Sequence, residues 1–211
     1  MRPKSITLTM EAADRDGISV AETLGAAGKF TIGGAYATGG VAKLDVPRHV
    51  SIYAASSNSA KTFTVYGTNR YGVSISEAIT GPAAGATAKS TKNFKTVTSV
   101  AIDAASVGDV EIGTANELES QPIIVHEEID WQVSLSSGAI LAYELQYTQT
   151  NLLPPGSSED SAIWKGCGDS TNNDVSSSYQ LAIPDGKIPA VRLALKSFTS
   201  GTVTFVIEPR K

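Results

Sequence analysis

The sequence predicts an all-β protein of two tandem antiparallel β-sandwich domains preceded by an N-terminal β arm. Three observations predict it. Apolar residues recur with period two in short runs, as at Ile6, Leu8 and Met10, which is the pattern of strands with one buried face. Gly, Ser, Asn and Asp clusters interrupt those runs at short intervals. Third, one β module occurs twice. Val50–Thr68 (VSIYAASSNSAKTFTVYGT) lines up with Val133–Thr148 (VSLSSGAILAYELQYT), placing Val50, Ser51 and Ile52 on Val133, Ser134 and Leu135. Val65 and Thr68 fall on Leu145 and Thr148. Downstream, Ser99–Gly113 lines up with Arg192–Val206: Val100 and Ile102 on Leu193 and Leu195, Gly108 on Gly201, Val110 and Ile112 on Val203 and Phe205. A duplicated module and the convergence of two similar hairpins both account for the match.

Each element follows in order. Ser5 to Met10 reads as a strand, Ala12 to Gly17 as a turn, and Ile18 to Leu24 as a strand or short irregular segment. After a loop at Gly25 to Gly28, Lys29–Ala37 and Val41–Val46 read as a hairpin around Thr38-Gly39-Gly40. Pro47 is expected to end that strand, because proline has no amide proton for a ladder. Residues 1–45 thus read as N-terminal strands or an arm, and the first module as residues 46–115. In that module Val50–Ala54 and Thr62–Tyr66 read as a hairpin over Ser56 to Ser59. Val73–Ile79 pairs back over Asn69 to Gly72. Gly81 to Ala88 reads as a loop, and Phe94–Ile102 and Val110–Gly113 close the module.

Ala115 to Ser120 reads as a polar linker into a second module, residues 121–211. After Gln121 to Val125, Trp131–Leu135 and Ala142–Thr148 read as its first hairpin. Asn151 to Glu159 reads as a Pro/Gly-rich loop, Ala162–Lys165 as a short strand and Gly166–Ser178 as an exposed polar loop. Tyr179–Ile183, Val191–Leu195 and Val203–Ile207 finish the sheet. Gly and β-branched residues are too frequent for an amphipathic helix beyond about two turns. Short strands at this spacing suit an Ig-like or jelly-roll-like sandwich rather than a βαβ fold.

Bulk properties narrow the function. The chain has 211 residues, 41% hydrophobic and 18% charged, which suits a folded globular protein. Its formal net charge of −4 argues against a nucleic-acid partner, which calls for a basic face. Lys89, Lys92 and Lys95 read as a solvated surface or, alternatively, a local basic patch. The single cysteine, Cys167, excludes an internal disulfide and a cysteine-based zinc site. The leading residues MRPKSITLTM lack the apolar run of a signal peptide. No stretch approaches the roughly 18 apolar residues of a membrane span. A chain made in a cytoplasm, with no membrane partner, is expected.

The search for chemistry returns no catalytic, cofactor-binding or metal residue to assign. His49 and His126 precede the two modules at similar places, without further ligands at a recognisable spacing. No GxSxG pattern surrounds a serine, and no motif couples Cys167 to a histidine. Asp14-Arg15-Asp16-Gly17 resembles the start of a calcium loop, but the position for its last acidic ligand is Gly25. A plain turn is the preferred reading. Glu127, Glu128 and Asp130 read as a solvated acidic face or a cation contact. Trp131 and Trp164 read as core residues or as aromatic anchors of a groove. No P-loop or GxGxxG occurs.

The stretch Thr62–Pro82, TFTVYGTNRYGVSISEAITGP, followed by FKTVTSVAIDAASVGDVEIG, resembles structural proteins of tailed bacteriophages. In those proteins a TVTGTD-like strand leads to a G-x-x-(I/V)-S-E-x-I-T-G-P strand and an F-x-T-V-T-S-I segment. The ending IPAVRLALKSFTSGTVTFVIEP is similar to the segment that closes virion sandwiches, although Glu208-Pro209-Arg210-Lys211 stands where many similar chains have a glutamine. The resemblance spans roughly Val46 to Pro209. It implies a non-enzymatic virion structural protein, a capsid decoration or cement protein, assembled in the host cytoplasm without cofactors. The implied partners are the major capsid protein or other virion proteins, with the chain a homo-oligomer. A neck, collar or tail component is the alternative within that class. A carbohydrate-binding or adhesin module is the alternative outside it.

Overall fold

The computed structural model describes residues 2–125, 129–137, 139–150, 152, 159, 162–171, 177–180 and 190–209. They form antiparallel β-structure in four sheets, none of them closed. The chain divides into two units: Ala13–Asn116, and Met1–Ala12 together with Glu117–Lys211. One unit is therefore inserted in the sequence of the other, and we call them the inserted and the split unit.

The inserted unit contains β2 (Ser19–Glu22), β3 (Gly28–Lys29), β4 (Ala37–Thr38), β5 (Val41–Arg48), β6 (Val50–Ala54), β7 (Thr62–Thr68), β8 (Ser74–Thr80), β9 (Ala86–Lys89), β10 (Phe94–Ile102) and β11 (Val110–Thr114). One sheet runs β2-β11-β6-β9, the other β4-β5-β10-β7-β8 with β3 on β10. Period-two alternation supplies one hydrophobic cluster from both: Ile52, Val110 and Ile112 from the first sheet, Leu44, Phe63, Val65, Val97 and Val100 from the second. The Phe30 and Phe63 rings stack within it, centroids 5.9 Å apart.

The split unit contains β1 (Lys4–Leu8), β12 (Leu118–Glu119), β13 (Ile123–Ile124), β14 (Ile129–Leu135), β15 (Ile140–Thr148), β16 (Trp164–Thr171), β17 (Ser177–Gln180), β18 (Ala190–Ser200) and β19 (Val203–Pro209). Its sheets run β1-β19-β14-β17 and β12-β18-β15-β16, with β13 also on β18. Leu141, Tyr143, Leu145, Leu193, Leu195, Val203, Phe205 and Ile207 are buried.

The two units share one strand order. In the first sheets β2, β11, β6 and β9 take the places of β1, β19, β14 and β17. In the second, β10, β7 and β8 take those of β18, β15 and β16. β3 and β5 divide the flank of β10 as β12 and β13 divide that of β18. The registers agree as well. Val100 faces Val65 as Leu193 faces Leu145. Ile112 faces Ile52 as Phe205 faces Val133. The repeated module is thus a repeated topology, with one correction. Pairing puts Ile52 on Val133, not Leu135, a two-residue shift that keeps every side chain on its face. Gly108 and Gly201 lie at the same turn, with φ of +67° and +105°.

Other expectations are corrected. Val50–Ala54 and Thr62–Tyr66 do not form a hairpin: β6 pairs with β9 and β11, and β7 with β8 and β10. The same holds for β14 and β15. Alternation reveals which face is buried, not which strand is the neighbour. Pro47 does not end its strand, because the register of β5 on β10 jumps between Lys43 and Arg48 and the proline sits in that irregularity. The expected linker at Ala115 to Ser120 holds β12, and Ser120 exchanges hydrogen bonds with Leu193, Leu193 N donating to Ser120 Oγ at 2.9 Å. Ala86 to Ala88 of the expected loop belongs to β9.

Gly166–Ser178 is not wholly a loop: its described residues lie on β16, along β15, and at the start of β17. An outer strand pairs through its main chain, so a polar run of small residues suffices. Residues 1–45 are shared between the units, β1 pairing with β19 while β2 to β5 build the inserted unit. The two units are therefore nested in sequence rather than tandem. The expected features at 153–158 and 181–183 lie outside the described residues.

Candidate functional site

The turn at Asp14 to Gly17 closes the base of the inserted unit. Asp14 N donates to Thr114 Oγ1 at 3.0 Å, Thr114 N to the Asp14 carbonyl at 2.8 Å, and Ala13 N to Asn116 Oδ1 at 2.9 Å. The points where the chain enters and leaves the unit are thereby tied side by side. A side chain at Gly113 would strike the Asp14 carbonyl, so this close approach requires glycine. Arg15 pairs with Glu111 and stacks over Tyr53, 4.3 Å from the ring centroid. Burial, then the side-chain hydrogen bond with Asp16, raises the Asp14 carboxyl above its usual range. Among the described residues no group of three or more His, Cys, Asp or Glu can hold a metal ion.

Arg48 belongs to the same base and was not singled out by the sequence. It is fully buried. Its Nε and Nη2 donate to the Ala115 carbonyl at 2.9 and 2.6 Å, and Nη1 pairs with Asp45 at 3.1 Å.

Two of the three lysines are tethered to main-chain carbonyls. Lys92 Nζ donates to the Ser76 carbonyl at 3.0 Å, and Lys95 Nζ to those of Leu44 and Asp45 at 2.8 and 3.0 Å. The His49 carbonyl accepts from Ala115 N at 2.9 Å. His126, Glu127 and Glu128 lie outside the described residues. Asp130 sits on β14 opposite Glu208 and Gln180. Cys167 lies at the register shift of β16, where Leu145 faces Gly168 and Gln146 faces Gly166.

A connected polar constellation lies on β15, β16 and β18 of the split unit. Leu145 and Leu193 point into the core, so alternation turns Glu144, Gln146, Arg192 and Lys196 to the opposite face. Arg192 Nε donates to Gln146 Oε1 at 2.8 Å, Gln146 Nε2 to Glu144 Oε2 at 2.5 Å, and Lys196 Nζ lies 2.9 Å from Glu144 Oε2. The Arg192 guanidinium covers the Trp164 ring at 4.1 Å, and Trp164 Nε1 donates to the Glu159 carbonyl at 3.3 Å. Trp164 is half-buried. The hydrogen bond from Lys196 lowers the Glu144 pKa against the opposing effect of burial, with Gln146 assisting. Glu144 is thus the ion-pair partner of Lys196 in this network. The arrangement suits polar recognition.

The equivalent face of the inserted unit is plain. Register places Thr64 and Tyr66 at the positions of Glu144 and Gln146, and Ser99 and Ala101 at those of Arg192 and Ala194. Sequence reading missed the constellation because its members are ordinary alternating polar residues. Only the β15–β18 register brings them together.

The chain matches no protein-family model and none of the curated proteins.

Proposed function

We propose that this chain is a non-enzymatic structural protein of a tailed-bacteriophage virion, a decoration or cement protein that bridges capsid subunits. One observation carries the reading: a single chain presents the same strand order twice, each time in sheets that are not closed among the described residues. Read as two β-sandwiches, such a chain is bivalent. Two linked modules hold a lattice far more firmly than either alone, because the second contact is intramolecular. Unpaired edges offer main-chain pairing to neighbours with little demand on side chains. The resemblance of Thr62–Pro82 and of the C-terminal segment to virion proteins supports the same reading. The partners are then the major capsid protein and further copies of this chain, with assembly in the host cytoplasm and no nucleic acid or membrane engaged. β1 serves as the N-terminal arm.

The test is copy number in purified particles. Stoichiometry comparable to the major capsid protein is expected. A small fixed number per particle moves the chain to the neck, collar or tail, and absence from the particle overturns the virion reading. The carbohydrate-binding alternative draws on Trp164 and its polar neighbours, but Arg192 already covers one face of that ring.

A further inference from the structure

β1 and β2 occupy the same place in their units, each flanking the strand that closes its unit. Their attachment differs sharply. β2 is clamped. The adjoining Ile18 is fully buried and its N donates to the Ile112 carbonyl at 3.0 Å. Arg15 pairs with Glu111, Thr23 Oγ1 donates to Asp109 Oδ1 at 2.5 Å, and Leu24 N donates to Ser106 Oγ at 2.9 Å. Thr31 N reaches back to Glu22 at 2.7 Å.

β1 is held with fewer such ties, although Met10 just beyond its end is buried. Among the described residues the strand partner of β1 is β19, with Lys4 facing Ile207, Ile6 facing Phe205 and Leu8 facing Val203. Lys4, Ser5 and Thr7 are exposed, and Ile6 and Leu8 stay half-exposed on the side that faces the core. Hydroxyl pairs tie this segment to its neighbour, Thr7 with Thr204 at 3.2 Å and Thr9 with Thr202 at 3.0 Å. Beneath it Val203, Phe205 and Ile207 are fully buried, so the core is formed by β19 itself. β1 also reaches the rest of its unit in sequence only through the whole inserted unit.

We infer that β1 is an exchangeable strand, and that the flank of β19 is a docking site for β1 of a second copy of this chain. The occupant follows from the register. The strand that fits Val203–Ile207 is present in every copy, and a second copy's β1 makes the same pairing and the same Thr–Thr contacts. Exchange therefore needs no new complementarity, which is the condition for strand swapping. A chain's own β1 has an effective concentration of about millimolar at its site, so exchange emerges when copies are crowded to that level. The inference deepens the homo-oligomer part of the proposed function but does not need the virion. Particle copy number tests that reading, and the experiment below uses isolated protein.

Ser5 and Val206 face each other across the pair. In a Cys167→Ser background, a Ser5→Cys chain is mixed with a Val206→Cys chain of different mass at about millimolar concentration and joined with a short thiol cross-linker. A Ser5→Cys plus Thr80→Cys mixture, the latter on exposed β8, measures random collision. The expected result is several-fold more cross-linked heterodimer for the 5/206 mixture than for the 5/80 mixture, falling on dilution. Heterodimer no higher than the collision control, with a Ser5→Cys/Val206→Cys double variant closing within single chains, overturns the inference.

Discussion

The inserted and the split unit are built on one strand order and differ in what each does with its margins. The inserted unit spends side chains on its own closure: Arg48, Arg15 and Asp14 tie its ends, and its first strand is locked. The split unit leaves most of its first strand exposed and places a charged network on one sheet face. A repeated topology keeps the alternation that fills a core, because a strand's inner face has few alternatives. Its edges and outer faces are free to diverge. The split unit, with the exposed first strand and the richer face, is where specific contacts are expected.

The largest effect should come from the cores. Phe63 and Phe205 are both fully buried, and truncating either to alanine is expected to cost about 3–5 kcal/mol. Both tryptophans lie in the split unit, so their fluorescence follows that unit while circular dichroism follows the whole chain. Phe205→Ala should lower the urea midpoint seen by fluorescence and leave a transition of the inserted unit unchanged. Phe63→Ala should act on both. Once the inserted unit unfolds, β1 is joined to β19 through a long disordered loop, whose closure entropy of on the order of 3 kcal/mol favours release of β1, so the split unit loses at most what β1 contributes. Equal shifts of a single shared transition by both variants would break the comparison.

How much of this was legible in sequence follows the physics of strands. Val65 with Leu145, Val100 with Leu193, and Gly108 with Gly201 were correctly aligned, because burial and turn geometry leave residue-level marks. The alignment of Ile52 slipped by two because a strand reads identically at that shift. The hairpin assigned to β6 and β7 failed for a related reason, since adjacent strands that cross between sheets carry the same alternation as a hairpin. The nesting left no mark either. Its sign is one short strand, Lys4–Leu8, whose partner is at the far end of the described chain. The network of Glu144, Gln146, Arg192 and Lys196 exists only once a register is fixed. Arg48 was invisible because nothing local predicts that an arginine will be buried against Ala115.

A smaller effect sharpens the comparison at the equivalent turns. Gly108 and Gly201 both adopt positive φ. At Gly108 an added Cβ meets Ser56 Oγ at 3.3 Å, whereas at Gly201 it meets the Ala139 Cβ at 2.5 Å. Gly108→Ala should therefore cost about 1 kcal/mol of backbone strain, and Gly201→Ala roughly 2–3 kcal/mol, because steric overlap adds to it. Equal costs in denaturant unfolding would show that the turn of the split unit relaxes freely, and the two turns would then be alike in mechanics as well as in place.

The smallest effect separates the units by sign. Glu144 has its pKa lowered by the hydrogen bond from Lys196. A carboxyl whose folded value lies below its unfolded value stabilises the fold above the unfolded value, and that contribution is lost as pH falls through the folded one. Asp14 has its pKa raised, chiefly by burial. Its contribution is present below the unfolded value and is lost as pH rises through the folded one. Acidification through the carboxylate range should thus weaken the split unit through Glu144 and favour the inserted unit through Asp14. Each effect should stay below about 1 kcal/mol, as expected for partly exposed groups. Glu144→Gln should flatten the acid limb of the tryptophan-detected stability profile, and Asp14→Asn should leave that limb in place. If Asp14→Asn flattened it instead, the tryptophan signal would be following the inserted unit, and the division of the chain at Ala13 and Asn116 would have to be redrawn.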